Sequence, residues 1–168
     1  MKEWLEGLPP QLTGQCRVLV LGSMPGATSL ARQQYYAHPR NRFWPLMAAL
    51  CGIDAALDYP ARMAALNRSG VGLWDVIGRC QRSGSLDASI IAASEVPNAL
   101  PPLLQAYPEV RLVAFNGQKA AGAFARHFPQ GLTEGVQALV LPSTSPANAA
   151  SSFERLRAAW DPLHTALS

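Results

Sequence analysis

The 168-residue sequence has little charge and no long apolar run. Asp, Glu, Lys and Arg make up only 15% of the residues, whereas 49% are apolar, a balance that excludes an intrinsically disordered chain. No apolar stretch reaches the roughly 18 residues that a membrane-spanning helix needs, and none of signal-peptide length begins the sequence. We therefore expect a soluble, cytoplasmic protein with no membrane partner, folded as a single domain over residues 1–168.

Cysteine and lysine are also scarce. Cys16, Cys51 and Cys80 are far apart and form no Cys-x-x-Cys pair, which excludes a zinc ribbon or a four-thiolate iron–sulfur cluster. We therefore expect reduced thiols, no metal and no cofactor. Lysine occurs only as Lys2 and Lys119, so arginine supplies most of the formal charge of +3. That charge permits a polyanionic partner, and arginine suits bidentate recognition of phosphates or bases.

Short apolar runs predict the strands of a buried sheet. They are 17–21, 71–74 with 76–77 behind it, 111–115, and 136–141. Most lack period-two alternation, as strands buried on both faces do. Segments with helical spacing lie between and after them, at 43–51, 60–67, 96–106, 118–128 and 151–167. The alternation predicts an α/β protein, a three-layer α/β/α sandwich with a central four-stranded, mostly parallel sheet. Residues 1–15 are expected to be a loosely attached lead-in with one helical turn around Trp4.

A polar cluster follows each predicted strand. The first is the turn at residues 22–26, which we call the first-motif turn; Asp75 and Asn116 follow the second and third strands. The fourth strand leads into residues 143–148, the second-motif loop. Because the carboxyl ends of parallel strands meet at one edge of a sheet, and ligands bind outside that edge, we expect a site there.

The segment at residues 35–44 contains many side chains that can stack, form hydrogen bonds or carry charge. Tyr36 could stack on a planar ring, His38 and Asn41 can exchange hydrogen bonds, and Arg40 and Arg42 could reach phosphates. The second-motif loop places Ser-Thr-Ser between two prolines, a stiff arrangement that could clamp a DNA backbone. The first-motif turn is neither a P-loop nor a nucleophile elbow, since no Gly-Lys-Ser/Thr follows it and its central residue is not serine.

As a set, these motifs resemble the uracil-DNA glycosylase superfamily along roughly residues 15–165. Residues 36–44 are similar to the aromatic-x-x-Pro-x-Asn-Arg-Phe-Trp of the mismatch-specific uracil/thymine branch. The hypoxanthine (deoxyinosine) branch resembles the chain more closely. It shares Ser-Met-Pro-Gly at 23–26, Tyr-Tyr-Ala-His-Pro-Arg-Asn at 35–41, and Ser-Thr-Ser-Pro-Ala-Asn at 143–148.

The resemblance implies a monofunctional glycosylase of base-excision repair that needs no cofactor. It would act as a monomer on damaged or mismatched duplex DNA, or on single strands, and hydrolyse the N-glycosidic bond of a flipped deaminated base. Hypoxanthine is the expected base and uracil the second. The catalytic residues implied are Asn41 and His38. The base-binding residues are Tyr36, Asp75, Asn116 and Met24. The DNA-binding residues are Gly22, Ser23, Pro25, Gly26, Arg40, Arg42, Ser143, Thr144, Ser145, Pro146, Ala147 and Asn148.

Met24 departs from the family pattern. The mismatch-specific branch carries asparagine at this position and other branches carry an aspartate nearby, whereas methionine cannot orient or activate water. Two other functions therefore stay open: a non-catalytic binder of damaged DNA, and a small-molecule hydrolase of α/β/α form. Salt-dependent DNA affinity would argue against the hydrolase, and turnover separates the glycosylase from the binder.

Overall fold

A sheet of parallel strands forms the centre of the molecule. The structure is a computed structural model, which describes residues 3–148 and 150–168. The elements, in chain order, are β1 (Trp4–Glu6), β2 (Val18–Gly22), α1 (Ala27–Arg32), α2 (Phe43–Cys51), α3 (Tyr59–Arg68), β3 (Val71–Asp75), β4 (Ile77–Gln81), β5 (Val96–Pro97), α4 (Leu100–Ala106), β6 (Leu112–Asn116), α5 (Gln118–His127), β7 (Gln137–Leu141) and α6 (Phe153–Ala166). Four strands pair in the order β3-β2-β6-β7, all parallel. Helices flank this sheet, so the predicted α/β class is confirmed.

Alternate residues of β2 enter two separate cores, one on each face of the sheet. Val18 and Val20 pack with side chains of α2, α3 and α6, whereas Leu19 and Leu21 pack with side chains of α4 and α5. All four are at most 1% exposed, and each contributes about 2 kcal/mol by leaving water. Burial on both faces explains why the strand shows no polar alternation.

Side-chain caps begin two of the predicted helices. The Asp58 carboxylate accepts a hydrogen bond from Ala61 N–H at 3.0 Å, with Pro60 in the first turn of α3. Ser152 Oγ accepts from Arg155 N–H at 3.2 Å at the start of α6. Such caps contribute about 1 kcal/mol each. Both helices therefore begin within two residues of the predicted positions.

A small antiparallel sheet corrects the prediction for two parts of the chain. Residues Trp4–Glu6 form a strand rather than a helical turn, and β1 pairs with β4, which pairs in turn with β5. The helix predicted over 96–106 begins only at Leu100, because Val96 and Pro97 form β5. Strands of two to five residues are too short to show a period, which is why the sequence did not reveal them.

From residue 3 onward the lead-in is also firmly attached, contrary to the prediction, whereas residues 1–2 lie outside the described residues. Leu8 is 5% exposed and belongs to the main core. The backbone of Gln11 both donates to and accepts from that of Leu73, at 2.9 Å in each direction. This segment therefore packs along the sheet.

Candidate active site at the carboxyl edge of the sheet

The first-motif turn depends on a glycine at the end of β2. Gly22 lies opposite Asp75 in the parallel register, and a Cβ at position 22 would stand only 2.5 Å from Asp75 Oδ1. The carbonyls of Gly22 and Ser23 accept hydrogen bonds from Val76 N–H at 2.8 Å and Ile77 N–H at 3.0 Å. The absence of a side chain therefore lets the Asp75 carboxyl sit directly against the turn.

Asp75 presents a buried carboxyl without a hydrogen-bond partner at one oxygen. The residue is 4% exposed, and its Oδ2 has no partner within the described chain. Burial, and then the charge of Asp87, raise the pKa of Asp75 to about 8, against a lowering effect of Arg82. At neutral pH this carboxyl is therefore largely protonated and can donate one hydrogen bond while it accepts another.

Tyr36 supplies a second unpartnered group beside the turn. Its backbone is left-handed, with φ of 55°, and its ring stacks on Phe43 with centroids 4.1 Å apart and planes 23° from parallel. Its hydroxyl is buried and forms no hydrogen bond within the described residues. Burial raises the pKa of this phenol, so it stays neutral. Buried polar atoms without partners are rare in folded proteins, and here two belong to side chains that both lie beside Gly22.

Asn116 holds the second-motif loop. Its amide nitrogen donates to Thr144 Oγ1 at 3.0 Å, and its Oδ1 accepts from Thr144 N–H at 3.0 Å. Thr144 is fully buried. The predicted reading of a base edge by Asn116 stays a prediction, since both ends of its amide already serve this anchor.

Side chains also tie the second-motif loop to itself and to its neighbours. Asn148 Nδ2 donates to the Ser143 carbonyl at 2.9 Å. Ser145 N–H donates to Ser143 Oγ at 3.1 Å, and the Ser145 hydroxyl oxygen accepts from Ala147 N–H at 3.2 Å. These bonds preform the loop that includes Pro146, as a rigid DNA-contacting surface would require.

Arg42 is bonded to loop carbonyls rather than left free. Its guanidinium donates to the carbonyls of Ser151 at 2.6 Å and Asn148 at 2.7 Å, and its backbone N–H donates to the Thr144 carbonyl at 3.1 Å. Arg40 is exposed and its side chain has no partner among the described residues. Of the two arginines, Arg40 is thus the one free to meet a phosphate.

The two residues implied as catalytic lie in one short, internally bonded loop. His38 Nδ1 accepts from Arg40 N–H at 3.1 Å. Asn41 Oδ1 accepts from Phe43 N–H at 2.9 Å, where α2 begins. The Asn41 side-chain nitrogen has no partner in the described part of the chain, and the residue is half-buried. Its catalytic role stays a prediction, because the oxygen also accepts a backbone N–H in the turn that leads into α2.

The Met24 side chain lies in the core rather than free at the edge. It is 6% exposed and packs in the cluster that contains Leu21 and Val76. Pro25 contributes to the site through its carbonyl, which accepts from Arg82 Nη2 at 2.7 Å. A role for Met24 in binding a base stays a prediction.

Sequence reasoning missed the segment at residues 82–90, which lies against the first-motif turn. Ser23 Oγ donates to Asp87 Oδ1 at 2.7 Å, and Ala27 N–H donates to Ser85 Oγ at 2.9 Å. Arg82 is 4% exposed, and its Nη1 is buried without a partner. The signal was absent from the sequence because the segment is short, polar and glycine-containing, like any surface loop.

Two classes of feature are absent from the described residues. Within 3–148 and 150–168, no group of three or more His, Cys, Asp or Glu side chains is placed to hold a metal ion. No helix in the same ranges is long and apolar enough to cross a membrane.

Comparisons with known proteins agree on one family. The family model described as the Uracil DNA glycosylase superfamily matches residues 9–164. Two relatives named hypoxanthine DNA glycosylase, from Methanosarcina barkeri (strain Fusaro / DSM 804) and Methanosarcina acetivorans, are each 35% identical to this chain. The alignments cover 92% of this chain and 94% of the first relative, and 89% of this chain and 91% of the second.

A solved structure extends the likeness to the fold. The solution NMR structure of a Methanosarcina acetivorans protein, provisionally named a uracil DNA glycosylase, superposes with a TM-score of 0.83 at 33% identity. The match covers 98% of this chain and 99% of that one. Fold, motifs and relatives agree, and the chain belongs to the uracil DNA glycosylase superfamily.

Proposed function

We propose that this DNA glycosylase removes hypoxanthine from DNA and leaves an abasic site. The observation that carries the proposal is the pair of buried, unpartnered groups, Asp75 Oδ2 and the Tyr36 hydroxyl, at the carboxyl edge of the sheet. Both curated relatives carry the name hypoxanthine DNA glycosylase.

The Asp75 carboxyl suits the polar edge that deamination creates. Deamination replaces an amine and ring acceptor by a carbonyl and an adjacent ring N–H. A protonated Asp75 donates to that carbonyl and accepts from that N–H, which satisfies both of its functions at once. Hypoxanthine, uracil and xanthine share this edge, so the choice among them depends on the size of the pocket and on pairing strength.

Tyr36 would position the extruded base. One face of its ring stacks on Phe43, which fixes the ring and leaves its other face to stack on a flipped base. Flipping costs a few kcal/mol, and less for a base that is mispaired, such as hypoxanthine. Part of the selectivity therefore arises before the base enters the pocket.

The reaction would pass through an oxocarbenium-like sugar, favoured by the DNA phosphates themselves. Asn41 holds the attacking water near C1′, and His38 donates to the departing base. The sequence has two lysines, Lys2 and Lys119. Because the amine of Lys119 donates a hydrogen bond to Glu95 at 2.7 Å, it is not free to form a Schiff base, which supports a monofunctional reaction.

The decisive experiment is alkaline cleavage of labelled duplexes, each with one hypoxanthine, uracil, xanthine or G·T mismatch, after incubation with the purified protein. We expect strand breaks at hypoxanthine, reduced by at least about 100-fold in Asn41→Ala. Breaks mainly at uracil would overturn the substrate assignment. DNA binding without breaks at any lesion would favour the non-catalytic binder.

A companion variant separates chemistry from capping at Asn41. Serine keeps an acceptor for Phe43 N–H but lacks the amide. We expect Asn41→Ser to fold like the wild type and still lose excision. If Asn41→Ser excises hypoxanthine at the wild-type rate while Asn41→Ala does not, the residue serves to hold the backbone turn before α2 and is not a catalytic group.

We further propose that the protein acts as a single-domain monomer in the cytoplasm, on damaged or mismatched duplexes. Cys16, Cys51 and Cys80 are unpaired, and Cys16 and Cys80 are buried, as is usual in a reducing compartment. Sedimentation with and without a hypoxanthine-containing duplex tests the stoichiometry, for which we expect one protein per lesion.

A further inference from the structure

The 82–90 segment brings a carboxylate to the turn whose own sequence lacks one. Asp87 Oδ1 accepts from Ser23 Oγ at 2.7 Å across 64 residues of chain. The same segment is held at two more points: Ala27 N–H donates to Ser85 Oγ at 2.9 Å, and Arg82 Nη2 donates to the Pro25 carbonyl at 2.7 Å. Three bonds to one short turn fix where Asp87 stands.

Asp87 also lies close to the groups that would receive the base. Its charge raises the pKa values of both Asp75 and Tyr36, so the three groups lie within electrostatic reach of one another. Asp75 Oδ2 and the Tyr36 hydroxyl are buried there without partners. Asp87 itself is an exposed residue, so a DNA strand at this edge of the sheet could reach it.

We propose that Asp87 accepts the proton of the attacking water, the task that Met24 cannot perform. The inference rests on the proposed glycosylase function and assigns a further catalytic residue to that same site. Ser23 occupies Asp87 Oδ1 through its hydrogen bond, so Oδ2 is the oxygen that would take the proton. Asn41 then orients the water by its amide, and the carboxylate supplies the basicity that an amide lacks.

The step balances as a hydrolysis. The bond between C1′ and the glycosidic nitrogen breaks, and its electron pair leaves with the base. The water oxygen forms the new bond to C1′, and the released water proton goes to Asp87 Oδ2. A proton from His38 neutralises the departing base; after release His38 regains a proton from solvent and Asp87 returns its own proton to solvent.

Burial, a hydrogen bond and neighbouring charges set the pKa of Asp87. Burial raises the pKa of Asp87 most, and the hydrogen bond from Ser23 lowers it. Arg82 and Lys119 also lower it, whereas Glu95 raises it. Asp87 can accept a proton only when its carboxyl group is ionised, so the excision rate falls as pH drops through the pKa of Asp87.

The first test is the single-turnover excision rate of Asp87→Asn on a hypoxanthine-containing duplex between pH 5 and 9. Asparagine keeps the shape and an acceptor for Ser23 but cannot take a proton. We expect a loss of at least about 100-fold, disappearance of the acid limb, and unchanged duplex affinity. Asp161→Asn, at an exposed position on α6, is the matched control and should behave as wild type.

A second variant distinguishes a base from a merely structural carboxylate. Ser23→Ala removes a bond that lowers the pKa of Asp87, so the acid limb should move to higher pH, and excision should recover as the pH rises to 7, where Asp75 still keeps its proton. A thermal unfolding midpoint on each variant verifies folding.

The inference is overturned if Asp87→Asn excises within about twofold of wild type with its acid limb intact, or if Ser23→Ala leaves that limb unmoved. The activity of the wild-type protein distinguishes a failure of the proposed function from a failure of the proposed role of Asp87. An inactive wild type contradicts the proposed function, whereas an active wild type with a fully active Asp87→Asn contradicts only the role of Asp87.

Discussion

Gly22 has no side chain, and this lets the buried carboxyl of Asp75 lie directly against it. Substituting alanine at position 22 would place a Cβ 2.5 Å from Asp75 Oδ1, so the carboxyl or the turn must shift. We expect Gly22→Ala to cost about 1–3 kcal/mol of unfolding free energy and to lower excision strongly. Gly14→Ala is the control, since a Cβ there meets nothing within 4 Å.

Urea unfolding of both glycine variants, alongside single-turnover excision, checks this expectation. Equal stability of Gly22→Ala and Gly14→Ala would show that Asp75 moves freely and that its position against the turn is not held.

Asp75 should also make stability depend on pH. Its pKa is raised from an ordinary 3.8 to about 8, so between these values the folded state keeps a proton that the unfolded chain has lost. The stabilisation is complete below pH 3.8 and is lost as pH rises toward 8. Asp75→Asn, which cannot ionise, should therefore gain on wild type by up to about 1.4 kcal/mol per pH unit in this window.

Urea unfolding of the two proteins at pH 5, 6, 7 and 8 measures that gain. A stability difference that stays constant across the four pH values would mean that Asp75 titrates in the folded protein as it does in water.

The position of a site residue could be predicted where the residue follows a strand directly. It could not be predicted where a segment distant in sequence brings the residue to the site. Asp75 follows β3 directly, so its place at the edge followed from the sheet alone. Asp87 and Arg82 reach the first-motif turn across 64 and 57 residues, and no local pattern records such a contact. Asn116 was placed correctly at the edge, but its double bond to Thr144 depends on a loop conformation that the sequence does not disclose.

At the scale of elements, the Arg42 guanidinium joins the end of the second-motif loop to the segment that leads into α6. Arg42 donates to the carbonyls of Ser151 and Asn148, whereas Arg40, two residues earlier, is exposed. We expect Arg42→Ala to lower the unfolding free energy by about 2 kcal/mol. Arg40→Ala should leave stability unchanged, weaken DNA binding, and reduce the slope of log affinity against log salt by about 1.

Thermal unfolding and duplex affinity at several salt concentrations distinguish these two variants. Loss of salt dependence in Arg42→Ala with unchanged stability would assign that side chain to phosphate binding and contradict its role as a loop anchor.

A buried acid joins β5 to α5. The Glu95 side chain is completely buried and accepts hydrogen bonds from Lys119 at 2.7 Å, from Arg126, and from His127 at 2.9 Å. Burial acts to raise the pKa of Glu95, but these three partners together lower it. Glu95 therefore adds stability that is present above its unfolded-state pKa and is lost as pH falls through the lower folded value.

Replacing the acid tests this link. We expect Glu95→Gln to cost about 2 kcal/mol at pH 7 and less at pH 3, measured by urea unfolding. An equal loss at both pH values would show that packing, rather than charge, makes Glu95 important.

For the molecule as a whole, the central sheet could be predicted because its strands are short apolar runs, which in β2, β3 and β6 are buried at nearly every position, and because helices with clear periods separate them. The small antiparallel sheet could not, since β1 and β5 span three and two residues. Their pairing is decided by long-range contacts with β4, where Leu5 meets Cys80 and Arg79 meets Val96.

The two ends of the chain relate differently to the site, with a practical consequence for any fusion protein. Strand β1 borders β4, and β4 runs directly into Arg82 and the segment that carries Asp87. The Leu167 carbonyl instead accepts from Arg17, at the amino end of β2 and so at the opposite edge of the sheet. A purification handle or fluorescent tag placed before β1 therefore risks disturbing the site, whereas one placed after α6 starts at the opposite edge of the sheet.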